Sequence, residues 1–219
     1  MDRIARRFFV YLLVLAVVTV WGGGASTTMG SDGSAAAFYN SGIGYFSQGQ
    51  FDQAIAKFSK ALEINPRYAE AYINRGAVYE IKGQYDLAIA DFNKALEINP
   101  RDAEAYNNRG NAFIDKKQYD LAIADFNKAL EISPRFAEAY NNRGLAYDGK
   151  GQYDQAIADY NKALEIKPRY ATAYVNRAWA YYGKKAYDKA WADVRNAQGL
   201  GHHMPEQFLE KLRQASGEK

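Results

Sequence analysis

The sequence predicts an all-α protein in which antiparallel helix pairs stack into a solenoid. Four prolines 34 residues apart mark an internal repeat, and they are Pro66, Pro100, Pro134 and Pro168. Each period contains two stripes of apolar residues at the three- and four-residue spacing of a helix. A pair of short helices cannot bury its own apolar face, so neighbouring copies are expected to stack on one another.

Composition excludes several classes of function. The chain has 219 residues, no cysteine and a formal charge of +3, of which Asp2, Arg3, Arg6 and Arg7 contribute +2. Without cysteine there is no disulfide or thiolate metal site. Basic and acidic residues alternate at matching places in every copy, which argues against the one-sided basic surface that nucleic acid requires. We therefore expect no nucleic-acid partner.

The N-terminus differs from the rest of the chain. Three arginines precede an apolar run of 14 residues, 8–21, and small residues follow around Ala25. This run is shorter than the roughly 20 residues that span a bilayer, so residues 1–25 are predicted to be a signal peptide. If cleavage fails, they would form an anchor that keeps the arginines in the cytoplasm. We expect an exported protein, periplasmic or secreted, or one anchored to the inner membrane and facing the periplasm. Residues 26–34 form a predicted flexible lead-in.

The repeat sets the domain organisation. Its five copies are 35–68, 69–102, 103–136, 137–170 and 171–204. In the central copy the stripes predict helix A from Ala103 to about Lys116 and helix B from Tyr119 to about Ile132, with Pro134 closing the copy. An aspartate in the first turn of every helix B meets the positive end of the helix dipole.

Glycine recurs at two kinds of position. A glycine inside helix A costs about 1 kcal/mol against alanine, so its recurrence indicates close contact with helix B, whose matching small residue is Ala122 in the central copy. A second glycine lies in the turn between the two helices, where it suits a helix end with left-handed backbone conformation. Lys117 and Lys185 replace this second glycine, and those two turns are expected to be more strained than the others or to have a different shape. The helix A glycines are Gly42, Gly76, Gly110 and Gly144, and the turn glycines are Gly49, Gly83 and Gly151.

The last segment is a predicted cap. The fifth copy loses its closing proline, and Pro205 opens a helix that runs to about Ala215, with Phe208, Leu209 and Leu212 on one face. An open array needs a terminal element with one polar face. Residues 205–219 are therefore assigned as a capping helix and tail.

The residues at fixed places in each copy resemble the tetratricopeptide repeat (TPR) family. In the central copy, Tyr106, Gly110, Phe113 and Pro134 match its pattern. The resemblance implies a right-handed superhelix with the A helices lining a concave groove. Where the family usually has leucine before the glycine, this chain has arginine, at Arg75, Arg109, Arg143 and Arg177.

These arginines coincide with aspartates sixteen residues later, Asp91, Asp125, Asp159 and Asp193. The first copy has Ser41 and Lys57 at the two positions. Because the two residue types appear and disappear together, we predict an ion pair between helices A and B of one copy.

On the side of helix A opposite the core stripe, each copy carries one asparagine. These are Asn40, Asn74, Asn108, Asn142 and Asn176. An amide offers a donor and an acceptor together, which matches a peptide unit, and groove asparagines of the resembled family hold ligand backbones. Alternatively, these asparagines bond a neighbouring helix or water. The full set of predicted peptide-binding residues adds Asn107, Asn111, Asn141, Glu70, Glu104 and Glu138.

The rest of the predicted groove is acidic in its middle and apolar at its ends. Glu80, Asp115 and Asp148 add to the glutamates above, and no lysine or arginine is expected there. This favours an extended neutral or basic segment and argues against a chaperone carboxylate clamp. Trp179 is expected to pack against the cap.

No catalytic constellation is present in the sequence. The two histidines, His202 and His203, adjoin in one loop without a third metal ligand in view. We therefore expect no enzyme, metal or cofactor, and predict an interaction scaffold of the cell envelope that binds a protein or peptide and touches a membrane only through an uncleaved N-terminus. The alternatives are a self-associating assembly protein, which would be a homo-oligomer, and a protein that recognises an envelope glycan.

Overall fold

The computed structural model describes residues 32–217. The predicted signal segment, 1–25, lies outside these residues. Within them the chain forms helices only, as predicted. These are α1 (Asp32–Ser47), α2 (Phe51–Ile64), α3 (Ala69–Ile81), α4 (Tyr85–Ile98), α5 (Ala103–Asp115), α6 (Tyr119–Ile132), α7 (Ala137–Gly149), α8 (Tyr153–Ile166), α9 (Ala171–Gly183), α10 (Tyr187–Gly199) and α11 (Glu206–Ser216).

The helices belong to two compact units that divide after Pro100. In the first unit, α1 pairs with α2 and α3 with α4, and α2 also contacts α3. In the second unit, the pairs are α5 with α6, α7 with α8 and α9 with α10, each packed on the next, and α11 packs on α10. Short connections make each pair antiparallel, which confirms the predicted helix pairs.

The first four helix pairs each close around an aromatic ring from helix B. A Cβ added at Gly110 would lie 2.7 Å from the Phe126 ring, which is fully buried. The same close approach recurs at the other helix A glycines. The predicted close contact is confirmed, but the partner is the ring sixteen residues later rather than Ala122. The ring occupies the space that a side chain at the glycine would fill.

The turns between helices are left-handed, as predicted. Gly83 and Gly151 each have φ of 73°. Lys117 and Lys185 adopt the same region, at 58° and 60°. Their side chains make this conformation costly, by roughly 1–2 kcal/mol, so the strain predicted for these two turns is present.

The ends differ from the prediction by a few residues. Helix α1 begins at Asp32, so the last three residues of the predicted flexible lead-in are helical. At the other end, α11 buries Phe208, Leu209 and Leu212. The Trp179 ring packs on Phe208 at a centroid distance of 4.1 Å, which confirms that this tryptophan is covered by the cap. No helix of residues 32–217 is long and apolar enough to span a bilayer.

Candidate functional site

The arginine that departs from the family pattern forms a two-pronged ion pair within its own copy. Arg109 Nε donates to Asp125 Oδ2 at 2.7 Å and its Nη2 donates to Asp125 Oδ1 at 2.6 Å. The hydrogen bonds to Asp125 raise the pKa of Arg109, and Asp125 is only 6% exposed. The predicted pairs all form, and the others are Arg75–Asp91, Arg143–Asp159 and Arg177–Asp193.

A third bond extends this network into the preceding copy. Arg143 Nη1 donates to Asn127 Oδ1 at 2.7 Å, and Arg177 Nη1 donates to Asn161 Oδ1 at 2.6 Å. In the first unit, Arg75 bonds Ser59 in the same way, at 2.8 Å. Each of these arginines therefore ties three helices together. The sequence carried a signal for this bond, a hydrogen-bonding residue sixteen positions before the arginine, and our sequence interpretation missed it.

The first copy replaces the pair with a different cation. Lys57 Nζ lies 5.5 Å from the centre of the Phe38 ring and 5.9 Å from that of Tyr45. In the other copies the guanidinium occupies this place, as Arg143 does 5.4 Å from the Tyr140 ring. A cation over aromatic faces is thus retained, although helix B supplies it in the first copy.

The predicted groove asparagines of the second unit form a continuous chain of amides. Asn176 Nδ2 donates to Asn141 Oδ1 at 3.0 Å, and Asn141 Nδ2 donates to Asn142 Oδ1 at 3.1 Å. Asn142 Nδ2 donates to Asn107 Oδ1 at 3.0 Å, and Asn107 Nδ2 reaches Asn108 Oδ1 at 3.5 Å. We call these five residues the amide chain. It links α5, α7 and α9, and its bonds of 3.0–3.1 Å orient Asn107, Asn141, Asn142 and Asn176, whereas Asn108 ends the chain through the longest contact.

Burial divides the amide chain into two groups. Asn107 and Asn141 are 7% and 3% exposed, so they lie behind the surface. Asn108, Asn142 and Asn176 are half-buried and keep an open side. An amide has two N–H donors and two acceptor lone pairs, so the second group retains unused hydrogen-bonding capacity.

In the first unit, the matching bond runs to a tyrosine. Asn74 Nδ2 donates to the Tyr39 hydroxyl at 2.7 Å. Burial raises the pKa of Tyr39 to about 12, so this hydroxyl stays protonated. Asn40 and Glu70 are exposed, and neither joins this pair. These bonds agree with the alternative role considered for the asparagines, which was bonding to a neighbouring helix. Peptide binding by the asparagines stays a prediction.

The acidic residues of the predicted groove have unequal surroundings. Glu104 is exposed at the start of α5, and Asn111 is half-buried two turns further along this helix. Although the residue is exposed, nearby protein atoms partly displace water from its carboxyl group, which raises the pKa of Glu104, and Asp102 and Glu138 add to the shift. Lys167 Nζ donates to Glu138 Oε1 at 2.9 Å. The expectation that no lysine reaches this face was therefore wrong, because the loop before α9 supplies one.

The other acidic residues expected in the groove are less open than predicted. Glu80 is 4% exposed, so it is not part of an open surface. It lies in α3 one turn past Gly76, which is also buried. Asp115 and Asp148 are half-buried. Burial raises the pKa of Asp148 to about 6.

The aspartates that begin each helix B have partners as well as a favourable helix end. Asp52 accepts a hydrogen bond from Lys82 Nζ at 2.6 Å. Asp120 pairs with Lys150, and Asp154 pairs with Lys184, in the same manner. Each lysine lies 30 residues later, at the end of the next copy's helix A. These exposed pairs link adjacent copies and add little stability each.

Comparison with protein families decides what kind of repeat this is. Family models described as "TPR repeat" and "Tetratricopeptide repeat" match residues 44–80, 69–102, 92–124, 110–151 and 137–170. The matches join into one segment that covers more than half of the chain. The chain belongs to the tetratricopeptide repeat family.

Solved structures agree with this assignment. A MamA structure is 30% identical, with 76% of this chain and 91% of that chain covered and a TM-score of 0.66. PilW, titled a "widely conserved type IV pilus biogenesis factor", is 24% identical, with 84% of this chain and 86% of that chain covered and a TM-score of 0.78. YrrB, titled "a TPR protein with an unusual peptide-binding site", is 26% identical over 76% and 86%, with a TM-score of 0.60. No curated protein matches the sequence.

Family membership supports a coarse statement of function. TPR proteins bind protein or peptide partners and are generally not enzymes. The chain is accordingly an interaction scaffold, built as stacked helix pairs whose A helices carry ordered amides.

Proposed function

We propose that this TPR protein works in the cell envelope and binds an extended neutral or basic segment of a partner protein along the A helices. It performs no catalysis and needs no cofactor. The observation that carries the proposal is the amide chain of the second unit. Asn142 and Asn176 are held in place by hydrogen bonds of 3.0 Å, Asn108 ends the chain 3.5 Å from Asn107, and all three still have unused donors and acceptors.

The physical basis is preorganisation. A flexible amide loses rotamer freedom when it binds, whereas the amide chain has already lost that freedom on folding. The buried residues Asn107 and Asn141 hydrogen-bond to the half-buried asparagines and so limit their rotation. Amides form hydrogen bonds with peptide units whatever the side chains are. The asparagines could therefore bind the backbone of partner segments of many different sequences. In the first unit, Asn40, Asn74 and Glu70 border the equivalent face, and Asn111, Glu104 and Glu138 border that of the second unit.

Two further observations support a peptide partner. YrrB, which resembles this chain over 76% of its length, is described as having a peptide-binding site. The described part of the second unit also presents carboxylates on the same face as the amides, beginning with Glu104. Anionic side chains beside a neutral backbone-binding surface favour neutral or basic segments over acidic ones.

The test is selection of linear peptides from a random display library by the purified full chain, followed by affinity measurement with the selected peptides. Asn108→Ala with Asn142→Ala removes two open amides and should weaken binding about tenfold or more. Asn196→Ala, which changes an exposed asparagine of α10, is the matched control and should bind as wild type. Equal binding by the double variant, or no peptide selected at all, would overturn the proposal.

Location in the envelope rests on the sequence of residues 1–25. The intact mass of the full chain expressed in a Gram-negative host tests it, because cleavage near Ala25 removes the basic and apolar segment. Recovery from the periplasm without this segment, or from the inner membrane with it, supports export. Uncleaved protein in the cytosol would contradict it.

A further inference from the structure

Two equivalent places in the second unit differ in whether they contain a cation. Each consists of a glutamate in the first turn of helix A, a loop residue 29 positions later and an aromatic residue 32 positions later. In one place these residues are Glu138, Lys167 and Tyr170, and we call it the closed slot. In the other they are Glu104, Ser133 and Phe136, and we call it the open slot.

The closed slot shows how these residues hold a cation. Lys167 Nζ donates to Glu138 Oε1 at 2.9 Å. The same ammonium lies 4.8 Å from the centre of the Tyr170 ring. A carboxylate on one side and an aromatic face on another are favourable surroundings for an ammonium or guanidinium group.

The open slot has the carboxylate and the ring without the cation. Ser133 stands where the lysine is in the next copy, and an open cleft of about 510 Å³ is lined by Ala103, Glu104, Ser133, Pro134, Arg135 and Phe136. Within the described residues, the Glu104 carboxylate has no side-chain hydrogen bond or ion pair. Partial loss of hydration raises its pKa, and the neighbouring carboxylates of Asp102 and Glu138, which have the same sign, raise it further.

Arg135 also lines this cleft but acts elsewhere. Its side chain is exposed, and its charge contributes to lowering the pKa of Glu165, whose main partner is Lys162. Within the described residues, Arg135 forms no hydrogen bond or ion pair with Glu104. The negative charge of Glu104 is therefore left for a cation from outside the chain.

We propose that the open slot binds a lysine or arginine side chain of the partner segment, with its cationic group on the Glu104 carboxylate and its stem along the Phe136 ring. This inference rests on the proposed function and adds the chemistry of one partner residue. Glu104 lies four residues before Asn108 on α5, so the two side chains are neighbours about 6 Å apart. Two residues of an extended segment span about 7 Å. The basic residue thus falls within one or two positions of the peptide unit that Asn108 binds.

The selection experiment above tests the open slot through the composition of the selected peptides. Wild type should enrich lysine or arginine at one fixed position, and alanine at that position should weaken binding about tenfold. Ser133→Lys copies the closed slot and supplies an internal cation, so the preference for a basic residue should disappear while binding through the backbone continues. Glu104→Gln should have the same effect on the preference through loss of the charge. The reverse change, Lys167→Ser, should open a second slot and add a second basic position.

Several results would overturn the inference. They are a wild-type selection without a basic position, a Ser133→Lys variant that keeps the preference, and a Lys167→Ser variant with no second position. If peptides are still selected and Asn108→Ala with Asn142→Ala still weakens their binding, the proposed function survives the loss of the open slot. If wild type selects no peptide, the proposed function and the open slot fail together. Circular dichroism melting of each variant shows that it is folded under the assay conditions.

Discussion

Asn108 and Arg109 are neighbours in α5, yet they belong to networks of opposite kinds. Arg109 uses charge and a planar shape to hold Asp125, which is 6% exposed. Asn108 belongs to a neutral chain of amides, and its side chain is half-buried with capacity to spare. The arginine network uses the hydrogen-bonding groups of Asp125 within the fold, whereas the amide chain leaves donors and acceptors of Asn108 unused. Adjacent positions of one helix can therefore have different roles, one in stabilising the fold and the other in binding a partner.

The first copy sharpens this comparison. It keeps the asparagine, Asn40, but has Ser41 in place of arginine. In Arg75, Arg143 and Arg177, the third hydrogen bond goes to the preceding copy. The first copy has no preceding copy in the repeat array, so this bond has no partner to join. Lys57 supplies the remaining function of the arginine, a cation over the aromatic rings.

The largest expected effect is loss of stability when the ion pair is broken. Arg109→Ala and Asp125→Ala should each cost about 3 kcal/mol, because one change leaves the buried Asp125 and the other the half-buried Arg109 without its ion-pair partner. Denaturant unfolding followed by circular dichroism measures the loss. The double variant should lose much less than the sum of the two single variants. Additive losses would show that the two residues act independently.

The next effect concerns Gly110, which follows Arg109 and faces the core. Gly110→Ala should cost about 2 kcal/mol, because its Cβ would lie 2.7 Å from the Phe126 ring. The fifth copy contains a natural solution, with Ala178 opposite Val194. Phe126→Val in the Gly110→Ala background should therefore restore part of the lost stability. The comparison with the fifth copy fails if the second change only adds to the damage.

A pH effect follows from Asp148, which is half-buried and has no cation to pair with among the described residues. Burial raises the pKa of Asp148 from 3.8 to about 6, so the charged form is penalised in the folded state above this pH. Stability should rise as pH falls through this value, by about 2 kcal/mol between about pH 7.5 and pH 4. Unfolding midpoints of wild type and Asp148→Asn across this range provide the measurement. Parallel pH profiles for the two proteins would rule out Asp148 as the source.

The smallest effect lies in the turns. Lys117→Gly should gain about 0.5 kcal/mol, because relief of the side-chain strain at a φ of 58° is partly offset by the greater conformational freedom of glycine in the unfolded chain. Gly151→Lys, the reverse change in an equivalent turn, should lose a similar amount. Thermal melting of both variants beside wild type resolves the sign. A loss in Lys117→Gly would mean that the lysine side chain stabilises its turn.

The sequence predicted contacts within a copy better than contacts between copies. Arg109 and Asp125 could be paired because both lie in one helix hairpin, whose geometry follows from helix periodicity and a short turn. The bond from Asn142 to Asn107 joins residues 35 positions apart in two copies. Its existence depends on how neighbouring copies pack, and a repeat period alone does not give that packing. For the same reason the lysine that neutralises Glu138 was missed.

The central claim is that the asparagines of helix A bind the partner segment, whereas the arginines beside them stabilise the fold. One experiment on two variants tests this claim most directly. Asn108→Ala and Asp125→Ala are each measured for unfolding and, under conditions where both are folded, for affinity toward a peptide selected by wild type. We expect Asn108→Ala to melt as wild type and bind about tenfold more weakly, and Asp125→Ala to lose stability but keep its affinity while folded. The claim would be contradicted by an Asn108→Ala variant that binds normally, or by a folded Asp125→Ala variant that does not bind.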